Sequence, residues 1–374
     1  LARKVQEGWE YPVADQPDEY WENKGYDEGA IECLRIDFLA EVETAVSELE
    51  HGVCDSITVG FVDHDEDLMP HWNALFQSFD LINPHGTGVV LDFQSIKLNE
   101  KVMRKICNHG IRRKNIGKVS FSNVGFANMR GAISELGIAL ESPKLKSFTW
   151  CENPIESTED MNLFTRVLSQ NSALDELEFT KNGNENAHAL LSGVDFSTYK
   201  ILNLSSNSLK TYGRTDIPDL IASNPPLVEL DLRKNRLNND DAVLIAQSLG
   251  KNTNLRRLNV RRNNIQERGM RALYGALHDT STMNALSDSN HTCRLEGLSE
   301  DLDLDVINWD RGSNGLYMNR MCKIHREMVE RYRNRGGNVP YLNREMSSCE
   351  DPVLLVPHLM ESVVRRHDAF PKKY

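Results

Sequence analysis

The chain has 374 residues and a net charge of −12, and 40% of its residues are hydrophobic and 26% charged. This balance excludes wholesale disorder and provides enough apolar residues for a large core. No run of about 18 apolar residues occurs, so the sequence predicts no membrane-spanning helix. The first residue is Leu1 and not Met, which leaves open whether a targeting peptide has been removed.

Seven cysteines are spread along the chain, with no CxxC pair and no other close spacing. This distribution argues against a disulfide framework and against a zinc knuckle, which both need closer cysteines. We therefore expect free, mostly buried thiols and a reducing intracellular compartment, with the cytoplasm favoured.

Charge is unevenly distributed along the chain. Residues 1–80 contain 4 Lys+Arg against 20 Asp+Glu, whereas residues 227–272 contain 10 basic and 5 acidic residues. An acidic N-terminal region and a basic region further along the chain are typical of directional, electrostatically steered binding. The alternative is that both regions are ordinary solvated surfaces.

The first predicted region, residues 1–55, combines an acidic aromatic arm with a cap helix. Residues 7–30 carry five aromatic residues among acidic ones, and we expect this arm to be extended and to pack on the first repeat or on a partner. From Ile31 to Leu49 the apolar residues recur at helical spacing, which predicts an amphipathic helix. Such a helix would cover the end of the repeats that follow.

Internal repeats dominate residues 56–300. Leu-x-x-Leu-x-Leu-x-x-Asn-x-Leu is clearest in the copies that begin at Leu227 and Leu255, and a close variant begins at Leu145. Alternating leucines predict a short strand with one buried face, and the asparagine amide can bond backbone groups in the turn after it. An apolar stripe at helical spacing follows in most copies. The copies begin near residues 56, 88, 116, 145, 174, 199, 227, 255 and 283.

A strand and a helix in about 28 residues resemble a leucine-rich repeat, and the helical form resembles the ribonuclease-inhibitor-like class. The resemblance implies an α/β leucine-rich repeat solenoid (horseshoe) of about 8–9 strand–helix repeats, with helical caps at both ends. Parallel strands would line the inside and helices the outside. The cysteine-rich strands of that class are absent here.

Residues 301–374 form the last predicted region, a C-terminal helical cap or extension. Apolar residues at helical spacing predict a basic helix over 315–333 and a second helix over 353–368. The alternative to a cap is a helix that binds a partner or a membrane surface.

Motifs that would indicate catalysis are missing from the sequence. There is no GxxxxGK[ST], GxGxxG, HExxH or GxSxG, so we predict no catalytic residue, no cofactor and no enzymatic activity. The richest polar cluster is residues 63–67 (DHDED) with His71 nearby. Its spacing matches no metal-binding loop, and we expect a solvated turn and no metal site.

The strand residues between the buried leucines should face outward. Because core packing does not constrain these positions, their side chains can be suited to binding a partner. Along the repeats these residues change from small polar, through acidic, to strongly basic. An alternative is charge pairing between adjacent strands, for example Asp231 with Arg257. The candidate partner-binding residues are Arg233, Lys234, Arg257, Arg261, Arg262, Glu229, Asp231, Glu176 and Glu178.

These observations favour a non-enzymatic protein–protein interaction module or scaffold that uses its concave face and terminal extensions. The expected partner is a protein with an acidic segment, and residues 7–30 of the same chain or of a second copy are one candidate. One alternative is a GTPase-activating regulator, since the Ran GTPase-activating protein has similar repeats, and another is a structural subunit of a large assembly. Nucleic-acid binding is disfavoured by the overall acidity. The identity of the partner and the oligomeric state stay open.

Overall fold

A computed structural model describes residues 9–63 and 65–297 and, beyond them, six single residues between 320 and 330. The chain divides into two compact units, Leu1–Leu209 (unit 1) and Lys210–Tyr374 (unit 2). The helix predicted over 353–368 lies outside the described residues, as does most of the helix predicted over 315–333. Five cysteines are described, all of them free thiols, and only Cys107 and Cys293 are buried. The prediction of mostly buried thiols is therefore wrong for this part of the chain.

Unit 1 alternates strands with helices. Six of its strands form one parallel sheet in the order β1-β2-β4-β6-β7-β8, and β3 and β5 pair separately. The strands are β1 (Ser56–Gly60), β2 (Val89–Gln94), β3 (Lys97–Leu98), β4 (Ile116–Ser122), β5 (Gly125–Phe126), β6 (Ser147–Cys151), β7 (Glu176–Thr180) and β8 (Ile201–Asn203). The helices are α1 (Asp18–Asn23), α2 (Glu28–Cys33), α3 (Ala40–Glu50), α4 (Met69–Ser78), α5 (Glu100–Lys105), α6 (Met129–Leu140), α7 (Thr158–Ser169) and α8 (Asn184–Gly193). The predicted alternation of parallel strands and helices is confirmed.

The arm before the first repeat is not extended, which corrects the sequence prediction. Two short helices form there, α1 after Pro17 and α2 after Asp27, whose side chain accepts the Ala30 N–H at 2.8 Å. Acidic residues in the first turn of each helix stabilise its positive end. Of the two packing alternatives, the structure shows contact with the first repeat: Tyr11 stacks on His71 and its hydroxyl lies 3.0 Å from the His71 ring nitrogen.

One helical stretch runs from α2 through a π-helical segment, Leu34–Leu39, into α3. Its predicted apolar stripe is buried throughout. The stripe consists of Ile31, Leu34, Phe38, Val42, Val46 and Leu49. The amphipathic helix is therefore present, and its role as a cap stays a prediction.

Buried asparagines connect consecutive turns of unit 1 after the strands. The Asn153 amide oxygen accepts the Val124 N–H at 2.6 Å, and that of Asn182 accepts the Asn153 N–H at 2.8 Å. Asn207 accepts the Asn182 N–H in the same way at 2.8 Å. Each side chain therefore satisfies a backbone group of the repeat before it, which would otherwise be buried without a partner.

A left-handed residue precedes each of these turn positions. It has positive φ although it is not glycine, and its strain is localised at one residue in each repeat. For Ser95, Asn123 and Glu152, the N–H donates to the carbonyl that ends the next strand, at 2.9, 2.8 and 2.9 Å. The series in unit 1 is Ser95, Asn123, Glu152, Lys181 and Ser206.

The described residues of unit 2 also alternate strands with helices, and three parallel strands lie there in the order β9-β10-β11. The strands are β9 (Glu229–Asp231), β10 (Arg257–Asn259) and β11 (Arg294–Glu296). The helices are α9 (Asp216–Ala222), α10 (Asn239–Leu249), α11 (Glu267–Leu277) and α12 (Met283–Asp288).

The repeat predicted to begin at residue 283 is wrong. Met283–Asp288 is helix α12, and the last described strand is β11, eleven residues further on. The spacing of Met283 and Leu286 fits one helical turn as well as it fits the start of a repeat. The Thr282 side chain decides between them, because it caps the helix by accepting the Ala285 N–H at 2.9 Å.

A second set of asparagines, which the sequence analysis missed, lies where helices lead into strands. In unit 2 the Asn252 amide donates to the Ile221 carbonyl and accepts the Leu255 N–H, at 2.8 and 2.7 Å. Asn290 does the same with Leu249 and Cys293, at 2.8 and 2.7 Å. These bonds satisfy carbonyls at the ends of helices, which have no partner within the helix. Asn171 occupies the equivalent position in unit 1.

Candidate functional site

The predicted basic residues of unit 2 lie at and just beyond the ends of β9 and β10. Leu230 and Leu258 are buried in the middle of these strands, and the exposed positions three and four residues after each carry positive charge. Four of the predicted residues are exposed and follow the two strands at equivalent positions. We call them the basic surface: Arg233, Lys234, Arg261 and Arg262.

Arg257 differs from these four because carboxylates hold it on both sides. Its guanidinium donates to Glu229 at 2.8 Å and to Glu296 at 2.8 Å. The predicted pair of Asp231 with Arg257 is wrong, because the parallel register places Glu229 opposite Arg257 and Asp231 opposite Asn259. Arg257 is therefore part of an ion-pair network in the sheet and contributes little free charge.

Asp231 is buried, whereas the sequence predicts a side chain that is free on the outward face. Its carboxylate accepts the Arg233 N–H at 2.9 Å and lies 3.3 Å from the Arg233 side chain. Asn259 repeats the backbone bond one strand later by accepting the Arg261 N–H at 3.1 Å. These side chains close the turns that carry the basic surface, so they fix its position and are not free to bind a partner.

Glu296 was missed by the sequence analysis, because the last strand was assigned to residue 283. Its side chain is 8% exposed and also lies 3.9 Å from Arg261. Burial by itself raises the pKa of the Glu296 carboxyl, but the bonds and charge of Arg257 outweigh burial, and the pKa lies below its ordinary value. Glu296 is therefore held as a carboxylate that orients Arg257.

Replacing Arg257 with methionine is expected to lower the free energy of unfolding by about 1–2 kcal/mol, since it leaves the Glu296 carboxylate without its main partner. A group with a lowered folded-state pKa stabilises the fold above its ordinary pKa, 4.5 for glutamate, and this contribution is lost as the pH falls through the folded-state pKa. The difference between wild type and R257M in urea denaturation should therefore shrink below about pH 4.5. A difference that does not change with pH would contradict this account of Glu296.

Lys234 and Arg262 occupy the left-handed position of their turns, with φ of 54° and 56°. The Lys234 N–H donates to the Arg261 carbonyl at 2.9 Å, so one turn supports the next. Within residues 9–63 and 65–297, no carboxylate lies at ion-pair distance from Lys234 or Arg262. The basic surface thus carries charge that its described surroundings do not neutralise.

Glu176 and Glu178, the acidic candidates, lie on β7 in unit 1. The register places them opposite Ser147 and Thr149, and the Thr149 hydroxyl lies 3.5 Å from the Glu178 carboxylate. Both glutamates are half-buried, whereas Thr149 is buried.

The acidic cluster of residues 63–67 is a docking point for the arm and not simply a solvated turn. Lys24 forms ion pairs with Asp65 and Asp67, at 2.7 Å for Asp65, and the Tyr20 hydroxyl donates to Asp67. In the part of the chain that the structure describes, no three His, Cys, Asp or Glu residues could hold a metal ion together. His64 lies outside that part.

Tyr212 is another residue that the sequence analysis missed. Its side chain is 77% exposed, and the Lys210 ammonium lies 5.5 Å from the ring centroid. Tyr212 and Gly213 both have positive φ, and the Arg214 N–H closes the turn onto the Thr211 carbonyl at 2.9 Å. A bulky residue is uncommon in this conformation, so the turn holds an exposed aromatic ring at some cost to stability. In the sequence, Tyr212 followed by Gly213 could have indicated a turn that exposes the aromatic ring.

Comparison with known proteins identifies the repeats of unit 2. The family model described as a leucine-rich repeat matches residues 223–246 and 251–273, which include β9 and β10. The chain therefore contains leucine-rich repeats. No curated protein matches the sequence.

Among solved structures, the chain is similar to an internalin (inlF) from Listeria monocytogenes at 18% identity and a TM-score of 0.34. The match covers 61% of this chain and 61% of the internalin, and at this TM-score it carries no argument about function. No helix among the described residues is both long and apolar enough to span a membrane.

Proposed function

We propose that this protein is a non-enzymatic protein-interaction module whose basic surface binds an acidic segment of a partner protein. The observation that carries the proposal is the exposed charge of Lys234 and Arg262, with which no carboxylate of the described residues pairs. Neither residue contributes its side chain to the core, and both backbones adopt a strained conformation that the turn requires. The leucine-rich repeats support the general role, because such arrays present large surfaces to partners.

The spacing of the basic surface suits carboxylates. Equivalent positions on neighbouring parallel strands are about 4.8 Å apart, so Arg233 lies beside Arg261 and Lys234 beside Arg262. A guanidinium offers a planar pair of donors that matches a carboxylate. The carboxylates of an extended acidic segment that crosses the two turns could pair in succession with the cations of the basic surface.

The turns beneath these cations are fixed before any partner arrives. Asp231 and Asn259 each bond the backbone two residues further on, and Asn263 accepts the Leu237 N–H at 3.1 Å. Binding would therefore order few backbone groups, which lowers its entropic cost. Tyr212 adds an exposed ring of the type that is enriched among the strongest contacts of interfaces.

The ribonuclease-inhibitor-like subclass is also part of the proposal. It is supported by 11-residue helices after β9 and β10, and by repeats of 28 residues in which Arg257 pairs with Glu229. No described geometry favours a GTPase regulator or a structural subunit, so neither is proposed.

Fluorescence anisotropy with a defined probe tests the function. The probe is a fluorescein-labelled peptide of alternating glutamate and serine, about ten residues long, and its matched control has glutamine in place of glutamate. We expect saturable binding of the glutamate peptide at low salt and much weaker binding at about 0.5 M salt, because exposed charges are screened within a few ångströms there. Equal binding of both peptides would contradict the proposal.

A further inference from the structure

Unit 1 has an open groove at its N-terminal end, between α1 and the helical stretch that begins with α2. The groove has a volume of 380 Å³. Part of its floor is Ile36, which is 56% exposed and is the most exposed isoleucine of the described residues. The groove is lined by Asp18, Glu22, Glu28, Ile31, Glu32, Arg35 and Ile36.

The lining of this groove is strongly acidic. Arg35 is its one basic residue, and Asp15 and Asp18 already pair with the guanidinium, which also donates to the Gln16 carbonyl at 3.0 Å. Within residues 9–63 and 65–297, no lysine or arginine forms an ion pair with Glu22, Glu28 or Glu32. The groove therefore combines an exposed isoleucine with three carboxylates that pair with no cation of the described part of the chain.

This groove is well anchored on the rest of unit 1. Trp21 of α1 is 1% exposed and packs against Tyr26, with ring centroids 5.3 Å apart. Lys24 joins the loop between α1 and α2 to Asp65 of the first repeat at 2.7 Å. The acidic face is thus held open on a fixed support, as a preformed docking surface requires.

We propose that this acidic groove binds the basic surface of a second copy of the chain. The proposal rests on the proposed function, and it names the acidic partner of Arg233, Lys234, Arg261 and Arg262. The two surfaces are complementary in charge, and each carries unpaired groups of one sign. The aliphatic stems of arginine and lysine would cover Ile36 while their charged ends reach the carboxylates.

Such a contact joins the groove of one copy to the basic surface of another, so a pair of copies still has one free groove and one free basic surface to continue the association. Assembly would then increase with protein concentration without stopping at a dimer, unless the geometry closes a ring. It would also weaken as salt is added, because both surfaces are exposed.

Analytical ultracentrifugation of the full chain at low salt tests the inference with charge-swapped variants. One variant reverses the groove (Glu22→Lys with Glu32→Lys), and another reverses the surface (Arg261→Glu with Arg262→Glu). Each alone should associate at least tenfold more weakly than wild type, and an equimolar mixture of the two should recover the association. The milder pair Glu22→Gln with Glu32→Gln should weaken association without a reversal of charge.

The control Glu141→Lys changes an exposed glutamate of unit 1 outside the groove and should associate as wild type does. If the wild type stays monomeric at low salt while it binds the glutamate peptide, the inference fails and the proposed function stands. If it neither associates nor binds the peptide, both fail. Association that neither charge swap weakens would also overturn the inference.

Discussion

Replacing Asn182 with leucine is expected to lower the free energy of unfolding of unit 1 by about 2–5 kcal/mol. The Asn182 side chain donates to the Trp150 carbonyl at 2.8 Å and accepts the Asn153 N–H at 2.8 Å, and the residue is only 2% exposed. Leucine has a similar size but bonds to neither group. Two backbone groups would then be buried without partners, at about 1–3 kcal/mol each.

Asn263 and Asn235 provide the matched comparison, since they hold the same position in unit 2. Asn263 is half-buried, and water could reach the groups that its replacement would free, so Asn263→Leu should cost roughly 1–2 kcal/mol. Asn235 is buried and donates to the Leu232 carbonyl at 2.9 Å, and Asn235→Leu should cost roughly 1–3 kcal/mol. Urea denaturation should rank Asn182→Leu as the most damaging. Midpoints equal to that of the wild type for all three variants would show that the asparagine bonds do not stabilise the repeats.

Reversing two charges of the basic surface, Arg261→Glu with Arg262→Glu, is expected to weaken binding of the glutamate peptide about a hundredfold, roughly 2.8 kcal/mol at 1.4 kcal/mol per tenfold. Each reversal removes one attraction and adds one repulsion. Both side chains are exposed, and that of Arg261 is 62% exposed, so the fold should tolerate the change. The loss should shrink as salt is added.

Arg257 is not a suitable site for this test, although the sequence places it with the others. Glutamate at position 257 would stand between the carboxylates of Glu229 and Glu296, and the fold would be destabilised together with binding. The matched control is Arg271→Glu on α11, whose side chain is 74% exposed and pairs with Glu267 within the same helix. If Arg271→Glu weakens binding as much as the double variant does, overall charge and not the basic surface controls affinity.

The repeats could be predicted because strand alternation and the turn asparagines leave a mark in every copy. Leu227 and Leu255 stand two residues before β9 and β10, and the leucine-rich repeat family model matches the residues around both strands. The last described strand, β11, could not be placed, because Thr292 and Gly297 stand where the preceding repeat has Leu255 and Val260. Two apolar residues that are three positions apart, such as Met283 and Leu286, fit the start of a repeat and a helical turn equally well.

Side-chain pairing was harder to predict than the fold. Alternation assigns Asp231 and Asn259 to the outward face, but it does not show that their short side chains turn back to bond the backbone and become buried. The partners of Arg257 depend on how β10 is aligned with β9, to within one residue, and on where β11 lies. The alternation of apolar residues along a strand gives neither. The basic surface could still be proposed from sequence, because Arg233, Lys234, Arg261 and Arg262 follow strands whose buried residues were clear.

Site-specific photo-crosslinking tests the central claim most directly. A photoreactive amino acid is placed at position 262 in one protein and at position 271, on the outer face of α11, in another, and each is irradiated with the glutamate peptide at low salt. We predict that the probe at position 262 captures the peptide, that salt or excess unlabelled peptide abolishes the capture, and that the probe at position 271 captures little. Equal capture at both positions, or capture only at position 271, would contradict the claim that the basic surface is the partner-binding site.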